Sequence, residues 1–308
     1  MKWYRVGRAV ALSAALTVAA MSSAQDSIAQ AGRTILEANK KAVVTVKMVI
    51  TMQMSMAGMG TRNEELKTEV TGTVLDATGL TVVALSSFDQ SAIMENFGGM
   101  GDDEEFKMTA VVGSAKIALD DGTEVSAKVV LRDKDLDLAF LRPEAKQEKP
   151  FAFVDLAQSA APQILDEVIM LNRLGKVANR AYSASVHRIE AVVEKPRLVY
   201  IPGSTESSAG LGSPAFTLDG KAVGLCFLRS VKSTDGGMGM FGGGDENVTA
   251  VLLPAADIIE QAKQAPEEAE KQPELAPAEA APAEGAEPAE GDAPAEGITI
   301  APAAVEPK

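Results

Sequence analysis

Residues 71–89 read TGTVLDATGLTVVALSSFD, the stretch from which the fold of this chain can be inferred. Two runs of β-branched and apolar residues flank the turn DATG at residues 76–79, a pattern that predicts an antiparallel hairpin. The glycine of that turn has the backbone freedom that a tight connection requires.

Short strand-like runs of the same kind continue on both sides of this hairpin. Turn signals such as LDDGTE at residues 119–124 and TLDGK at residues 217–221 separate them. About twelve closely spaced strands with little helical periodicity predict an all-β chain of antiparallel barrels or a sandwich. A first helix is predicted near residues 27–41, with Ile28, Ala31, Ile35 and Leu36 near one face, and a last helix after Pro254.

The N-terminus has the pattern of a secretory signal peptide over residues 1–24. Lys2, Arg5 and Arg8 precede an apolar run that ends in small residues, and this run is shorter than the ~20 residues of a spanning helix. We therefore expect a periplasmic or secreted protein, with no membrane insertion after cleavage of the signal.

Composition divides the rest of the chain into a domain at residues 25–263 and a tail at residues 264–308. The tail repeats Ala, Pro and Glu and carries eleven acidic residues and two lysines, so it is expected to be disordered. The domain lacks the clusters of Lys and Arg that nucleic-acid binding requires. Cys226 is the only cysteine, which excludes an internal disulfide and predicts a buried thiol.

Five segments, in this order and spacing, resemble parts of a chymotrypsin-like serine protease, in particular the bacterial HtrA/Deg branch. They are the hairpin at 71–89, VSAKVVLRDKDLDLAFLRPE at 125–144, the run 164–193, SSAGLGSPAFTLDGKAVGLC at 207–226 and NVTAVLLPAADIIEQAK at 247–263. The resemblance implies a trypsin-like double β-barrel, with a first barrel at about residues 40–145 and a second at about 150–254.

The same resemblance assigns the catalytic positions and shows that two of the three have changed. Ser86 stands where the family has its histidine, Leu211 stands where it has its nucleophilic serine, and only Asp137 remains. A hydroxyl does not replace imidazole as a general base near neutral pH, and leucine has no nucleophilic atom. The oxyanion loop is also degenerate, because the family pattern GNSGGP appears as Ala209, Gly210, Leu211, Gly212, Ser213 and Pro214. We expect no catalytic residues, and we expect Ser86 and Asp137 to face each other between the barrels.

A displaced catalytic set is the alternative. The only histidine, His187, lies in a predicted strand of the second barrel, whereas the family takes its base from the first. Ser207, Ser208 or Ser213 could act as a shifted nucleophile, and Lys176 or Lys221 could act as the base of a serine–lysine dyad. Nothing in the sequence singles out one of these pairs.

Two further features bear on ligands. Met48, Met52, Met54 and Met56 share one face of a long strand, which predicts apolar packing and, as an alternative, a Cu(I) site. Two glycine-rich segments, residues 95–106 and 233–247, share GGMG and an acidic end but lack the ligand spacing of a calcium loop. In the second segment, Met238, Met240 and Phe241 could plug the pocket. We predict no cofactor and no metal.

Together these patterns predict a catalytically inactive trypsin-like homologue of the cell envelope that binds a peptide or protein of unknown identity, or acts as a scaffold. An active endopeptidase with a noncanonical serine and base is the alternative. The sequence leaves open whether the protein forms a homo- or hetero-oligomer.

Overall fold

The computed structural model describes residues 26–56, 60–89, 91, 106–203, 210–230, 248–273 and 275. Its strands form two closed antiparallel barrels of six strands each, which confirms the predicted double barrel. The strands of the first barrel are β1 Val43–Met56, β2 Gly60–Val74, β3 Thr81–Ala84, β4 Phe106–Ala118, β5 Glu124–Asp133 and β6 Leu138–Pro143. Those of the second are β7 Glu167–Arg173, β8 Tyr182–Val193, β9 Val199–Pro202, β10 Pro214–Thr217, β11 Ala222–Ser230 and β12 Val248–Pro254.

The turn between β2 and β3 has the structure that its sequence predicts. Asp76 Oδ1 accepts hydrogen bonds from the backbone N–H of Thr78 at 2.8 Å and from the Thr78 hydroxyl at 2.6 Å. Gly79 follows at a φ of +94°, and a Cβ there would overlap the ring of Phe151. An Asx-type turn and a glycine in the left-handed region therefore close the hairpin.

The interior of each barrel is apolar, and the methionine strand β1 contributes to the first. Met48 and Met52 are 2% and 5% exposed and pack in the core of the first barrel with Ile50 between them. Met54 is half-buried, and the side chain of Met56 lies outside the described residues. A second core cluster combines the second barrel with Val82 and Phe140 of the first barrel, so apolar packing crosses the junction between the barrels.

In the part of the chain that the structure describes, one α-helix precedes the first barrel and another follows the second. Helix α1 occupies residues 26–39. Ile35 is buried and Ile28, Ala31 and Leu36 are half-buried, whereas most other positions are exposed. The four residues predicted to share one face therefore do face the protein. Helix α2, Ala255–Ala262, begins directly after Pro254, and Ile258 is its most buried side chain. None of the helices described is long and apolar enough to cross a membrane.

After α2 the chain turns back onto the first barrel. The sequence placed the start of the Ala/Pro/Glu-rich tail at residue 264, but residues 264–273, here named the strap, make defined contacts with β4, β5 and β6. These contacts use backbone groups and the side chains of Glu270 and Gln272, and the composition of the segment does not indicate them. The packed part of the chain therefore continues to Gln272.

Candidate functional site

Asp137 lies immediately before β6, at the junction of the two barrels, and is 8% exposed. Its Oδ1 accepts a hydrogen bond from the backbone N–H of Ser86 at 2.6 Å. Its Oδ2 accepts bonds from the Ser86 hydroxyl and from the backbone N–H of Leu228, both at 2.9 Å. The expected contact between Ser86 and Asp137 is therefore present. Strand β11 of the second barrel adds the third hydrogen bond to this carboxylate, through Leu228.

Burial dominates the electrostatics of this carboxyl group. Loss of hydration raises the pKa of Asp137 to about 6, although the hydrogen bonds from Leu228 and Ser86 act in the opposite direction. The neighbouring Cys226 is free and buried, as predicted. Its own burial, together with the negative charge of Asp137, raises the pKa of the Cys226 thiol to about 12. Cys226 is therefore present as a neutral thiol rather than as a reactive thiolate at neutral pH.

The loop that carries Leu211 is held by both barrels. The N–H of Gly212 donates to the carbonyl oxygen of Cys226 at 2.8 Å, and the hydroxyl of Thr73 donates to the carbonyl oxygen of Gly212 at 2.7 Å. Gly212 has a φ of +79°, and a Cβ there would overlap the carbonyl oxygen of Thr71. The loop is thus fixed by backbone contacts that only glycine permits at this position.

The side chains of this loop differ in their surroundings. Leu211 is 4% exposed and has an apolar side chain. Ser213 is completely buried, and its Oγ has no hydrogen-bond partner among the residues that the structure describes. The backbone N–H of Ser213 donates to the carbonyl oxygen of Gly210 at 3.1 Å. Ala209, together with Ser207 and Ser208, lies outside the described residues.

A cavity of about 330 Å³ opens between the barrels beside Leu211. On one side the wall is formed by β1, β2 and Ser87 of the first barrel. On the other side it is formed by the end of β7, the loop that follows β7, and Leu211. The lining residues are Thr45, Glu69, Val70, Thr71, Ser87, Asn172, Arg173, Leu174, Gly175 and Leu211. Of these, sequence reasoning identified only Leu211, because no local signal marks the others.

The charged groups of the cavity wall are already engaged. Glu69 accepts hydrogen bonds from Arg180 Nε at 3.0 Å and Nη2 at 2.8 Å, and the bond with Arg180 is the main cause that lowers the pKa of Glu69. Arg173 donates to the carbonyl oxygens of Ala118 at 2.8 Å and Leu119 at 3.2 Å, and so connects the second barrel to the first. The cavity therefore has fixed polar groups at its rim and Val70, Leu174 and Leu211 as apolar wall.

The structure places the other candidate groups away from Asp137. Lys176 and Lys221 form ion pairs with Glu69 and Asp219, at 3.4 Å and 3.0 Å. His187 lies on β8, where its Nε2 is 2.8 Å from the Ser185 hydroxyl and its Nδ1 is 3.2 Å from the carbonyl oxygen of Gly203. Sequence reasoning considered His187 but missed Ser185 as its neighbour.

The structure describes the methionine strand but not the two glycine-rich segments. Met48 and Met52 lie in the packed core, as apolar packing predicts, whereas the glycine-rich segments, with Met238, Met240 and Phe241, fall outside the described residues. Within the described part of the chain, no group of three or more His, Cys, Asp and Glu side chains could hold a metal ion.

A protein-family model agrees with this architecture. A family model described as "Trypsin-like peptidase domain" matches residues 70–225, which is half of the chain. None of the curated proteins matches the sequence. The solved structures similar to the chain include the MamO protease domain from Magnetospirillum magneticum in its apo form. That match has a TM-score of 0.44 and 16% sequence identity, and it covers 73% of this chain and 97% of the other.

The family match begins in β2, includes the Asp137 segment and the Leu211 loop, and ends in β11. It therefore covers parts of both barrels, including Ser86 and Asp137 at their junction. The chain belongs to the trypsin-like peptidase domain family.

Proposed function

We propose that this protein is a catalytically inactive member of its family that binds an extended peptide or protein segment in the cleft between the barrels. One observation carries the proposal: the carboxylate of Asp137 accepts its hydrogen bonds from Ser86 and Leu228, and no imidazole is among these donors. Triad catalysis needs a base that takes a proton from a nucleophile, and Leu211 offers no proton to take.

The binding half of the proposal rests on the edge of β11 that β10 leaves without a strand partner beyond Leu225. Strand β10 pairs with β11 only between Ala222 and Leu225, whereas β12 pairs with it as far as Ser230. Among the described residues, no strand pairs with that edge of β11 beyond Leu225. Gly212 and Ser213 already bond to the backbone of Cys226 there, and Asp137 accepts from the N–H of Leu228, so the part of the edge that could meet a peptide lies toward Ser230. Such an edge can hydrogen bond to an extended peptide without any catalytic group.

The cellular setting is part of the same proposal. The charged, apolar and small-residue pattern of residues 1–24 supports a cell-envelope protein, either periplasmic or secreted and similar to HtrA proteins. The partner would be an unfolded segment of another protein, or the chain would serve as a scaffold subunit in a homo- or hetero-oligomer.

A substitution in the cavity wall tests the binding site. A Cβ on Gly175 would meet nothing within 4 Å, so Gly175→Trp should fold while it adds a large side chain at the cavity wall. Fluorescence anisotropy with labelled, unfolded casein should show affinity at least about tenfold weaker for this variant, equivalent to ~1.4 kcal/mol. Val177→Trp, at a fully exposed position two residues away, is the matched control and should bind like the original protein. Equal affinity for all three proteins would reject the cleft as the binding site.

One observation favours the alternative of a noncanonical hydrolase. A carbonyl oxygen only accepts, so Nδ1 of His187 carries the proton that it shares with Gly203, and in the neutral ring Nε2 is left to accept from the Ser185 hydroxyl. A hydroxyl, a base and a group that orients the base are the elements of an activated nucleophile. In hydrolysis, Nε2 would take the Ser185 proton as Oγ attacks the carbonyl carbon, and would give it to the leaving group as the bond to that group breaks. A water molecule, deprotonated by the same Nε2, would then cleave the acyl-serine ester and restore the hydroxyl.

A serine-reactive fluorophosphonate probe separates the two functions. The inactive protein should show no labelled serine by mass spectrometry. Labelling of Ser185 that disappears in His187→Gln would support the hydrolase, with Ser183→Ala as a control on the same strand.

A further inference from the structure

The first barrel has an opening between β4 and β5. These strands pair only where Ala115–Ala118 face Glu124–Ala127. Beyond this short ladder, β4 continues beside β1 and β5 continues beside β6. Both continuing strands contain an irregularity, at Gly113 in β4 and at Val130 in β5, where the register shifts. Such β-bulges locally disrupt the hydrogen-bonding ladder of a sheet.

The strap supplies hydrogen bonds at this opening. The backbone N–H of Glu270 donates to the carbonyl oxygen of Val129 at 2.9 Å. The amide side chain of Gln272 pairs with both backbone groups of Val112: Oε1 accepts from its N–H at 2.6 Å, and Nε2 donates to its carbonyl oxygen at 2.8 Å. The side-chain amide of Gln272 thus pairs with the N–H and the carbonyl oxygen of Val112, as the backbone of a neighbouring strand would.

Two poorly exposed arginines hold the acidic part of the strap. Arg142 donates to the carbonyl oxygens of Ala265 at 3.2 Å and Pro266 at 3.0 Å. Arg132 is 10% exposed, and its Nε lies 3.1 Å from a carboxylate oxygen of Glu270, an ion pair in which the N–H does not point at the oxygen. Its Nη1 donates to Asp89 at 3.2 Å, which keeps the guanidinium in place.

These contacts bind three kinds of group in the strap: its main chain, the carboxylate of Glu270 and the side-chain amide of Gln272. We propose that the first barrel carries a peptide-docking groove between β4 and β5 that accepts an extended acidic peptide and is filled in this structure by the chain's own residues 265–272. None of the contacts involves a residue that lines the interbarrel cavity, so the groove is separate from the site of the proposed function. The dual hydrogen bond at Val112 and the charge of Arg132 favour a Glu followed two positions later by a Gln, while Arg142 binds the main chain.

Amide hydrogen exchange in the full-length protein tests the groove. In Gln272→Ala, the Val112 amide loses its acceptor, and we expect it to exchange about fivefold faster, since a net hydrogen bond contributes ~1 kcal/mol. Gln264→Ala is the matched control, because Gln264 lies in the same segment, is exposed, and its side chain donates to the side chain of Gln261. The control should leave exchange at Val112 unchanged.

Addition of a peptide in trans distinguishes docking from simple packing. In the full-length double variant Glu270→Ala with Gln272→Ala, a synthetic peptide of residues 264–275 should restore slow exchange at Val112, and a peptide with the same two alanines should not. Unchanged exchange in Gln272→Ala, or equal effects of the two peptides, would overturn the proposal. Casein binding that is lost in Gly175→Trp but kept in the double variant would show that the cleft and the groove are independent sites.

Discussion

Asp137 combines two features that normally destabilise a folded protein. Its φ is +60°, in the left-handed region where Asp and Asn are among the more tolerated side chains, and its carboxyl group is almost fully removed from water. Three hydrogen bonds offset part of this cost. A structural role in joining the barrels therefore accounts for an aspartate at this position without reference to catalysis.

The titration of Asp137 gives a pH dependence with a definite sign. Its pKa is about 6 in the folded protein, whereas an unperturbed aspartate has a pKa of 3.8, so the folded state binds more protons between these values. Stability from this group is thus greatest below about pH 4 and decreases as the pH rises through 6, by roughly 2–3 kcal/mol. Asp137→Asn should remove this contribution, which urea unfolding at pH 4.5 and pH 7 would measure as a smaller difference than in the original protein. An identical pH dependence of the two proteins would contradict the assigned titration.

Restoring the missing groups tests the alignment of the catalytic positions. In Ser86→His with Leu211→Ser, the introduced imidazole would lie beside Asp137, where Ser86 now donates its hydroxyl, and the introduced serine would lie on the loop pinned by Gly212. We expect fluorophosphonate labelling at position 211 in the double variant only. Leu211→Ser alone is the control. Absence of labelling in a correctly folded double variant would show that these positions do not form a triad.

Gly212 should tolerate no side chain. Gly212→Ala places a Cβ against the carbonyl oxygen of Thr71 at a positive φ, and we expect a loss of at least ~2 kcal/mol of unfolding free energy. Gly175→Ala, where a Cβ meets nothing within 4 Å, should change it by less than about 0.5 kcal/mol. Chemical denaturation of both variants provides the measurement, and similar losses would contradict the packing described.

Strand β1 contributes buried methionine side chains to the core of the first barrel. Met48→Ala should reduce the unfolding free energy by about 2–5 kcal/mol, because the side chain is almost fully buried in the core. Met54→Ala, at a half-buried position of the same strand, should reduce it by clearly less.

Thermal unfolding with and without Cu(I) under reducing conditions checks the alternative, since a copper site would raise the melting temperature. We expect no such increase.

The two barrels are joined by a small number of directional contacts in addition to the shared core. Arg173 reaches from β7 to two carbonyl oxygens at the end of β4, and its guanidinium lies 5.2 Å from the centre of the Tyr182 ring. Thr71 and Thr73 of β2 contact Asn172 and Gly212 of the second barrel in turn. This junction also forms the wall of the cavity, so its integrity determines the shape of the proposed binding site.

Arg173→Ala should therefore loosen the contact between the barrels. The loss of two charge-assisted hydrogen bonds corresponds to about 2–3 kcal/mol of unfolding free energy, and it leaves two carbonyl oxygens without their partner. Arg188→Ala is the matched control, because its ion pair with Glu167 is exposed and lies within the second barrel. Differential scanning calorimetry would compare them, and equal melting temperatures would exclude a role for Arg173 at the junction.

The sequence by itself predicted an all-β chain of barrels or a sandwich, the face of α1 and the closing turn at Asp76 and Gly79, and its resemblance to chymotrypsin-like proteases implied the double barrel and the roles of positions 86, 137 and 211. Strand alternation, turn residues and the order of motifs are local properties, so they can be inferred from neighbouring positions. The tertiary structure alone decided the cavity wall, the Ser185–His187 contact with Gly203, and the return of the strap to β4 and β5. These features depend on contacts between segments that are distant along the chain, such as Val112 with Gln272, and barrel closure rather than any local pattern brings such segments together.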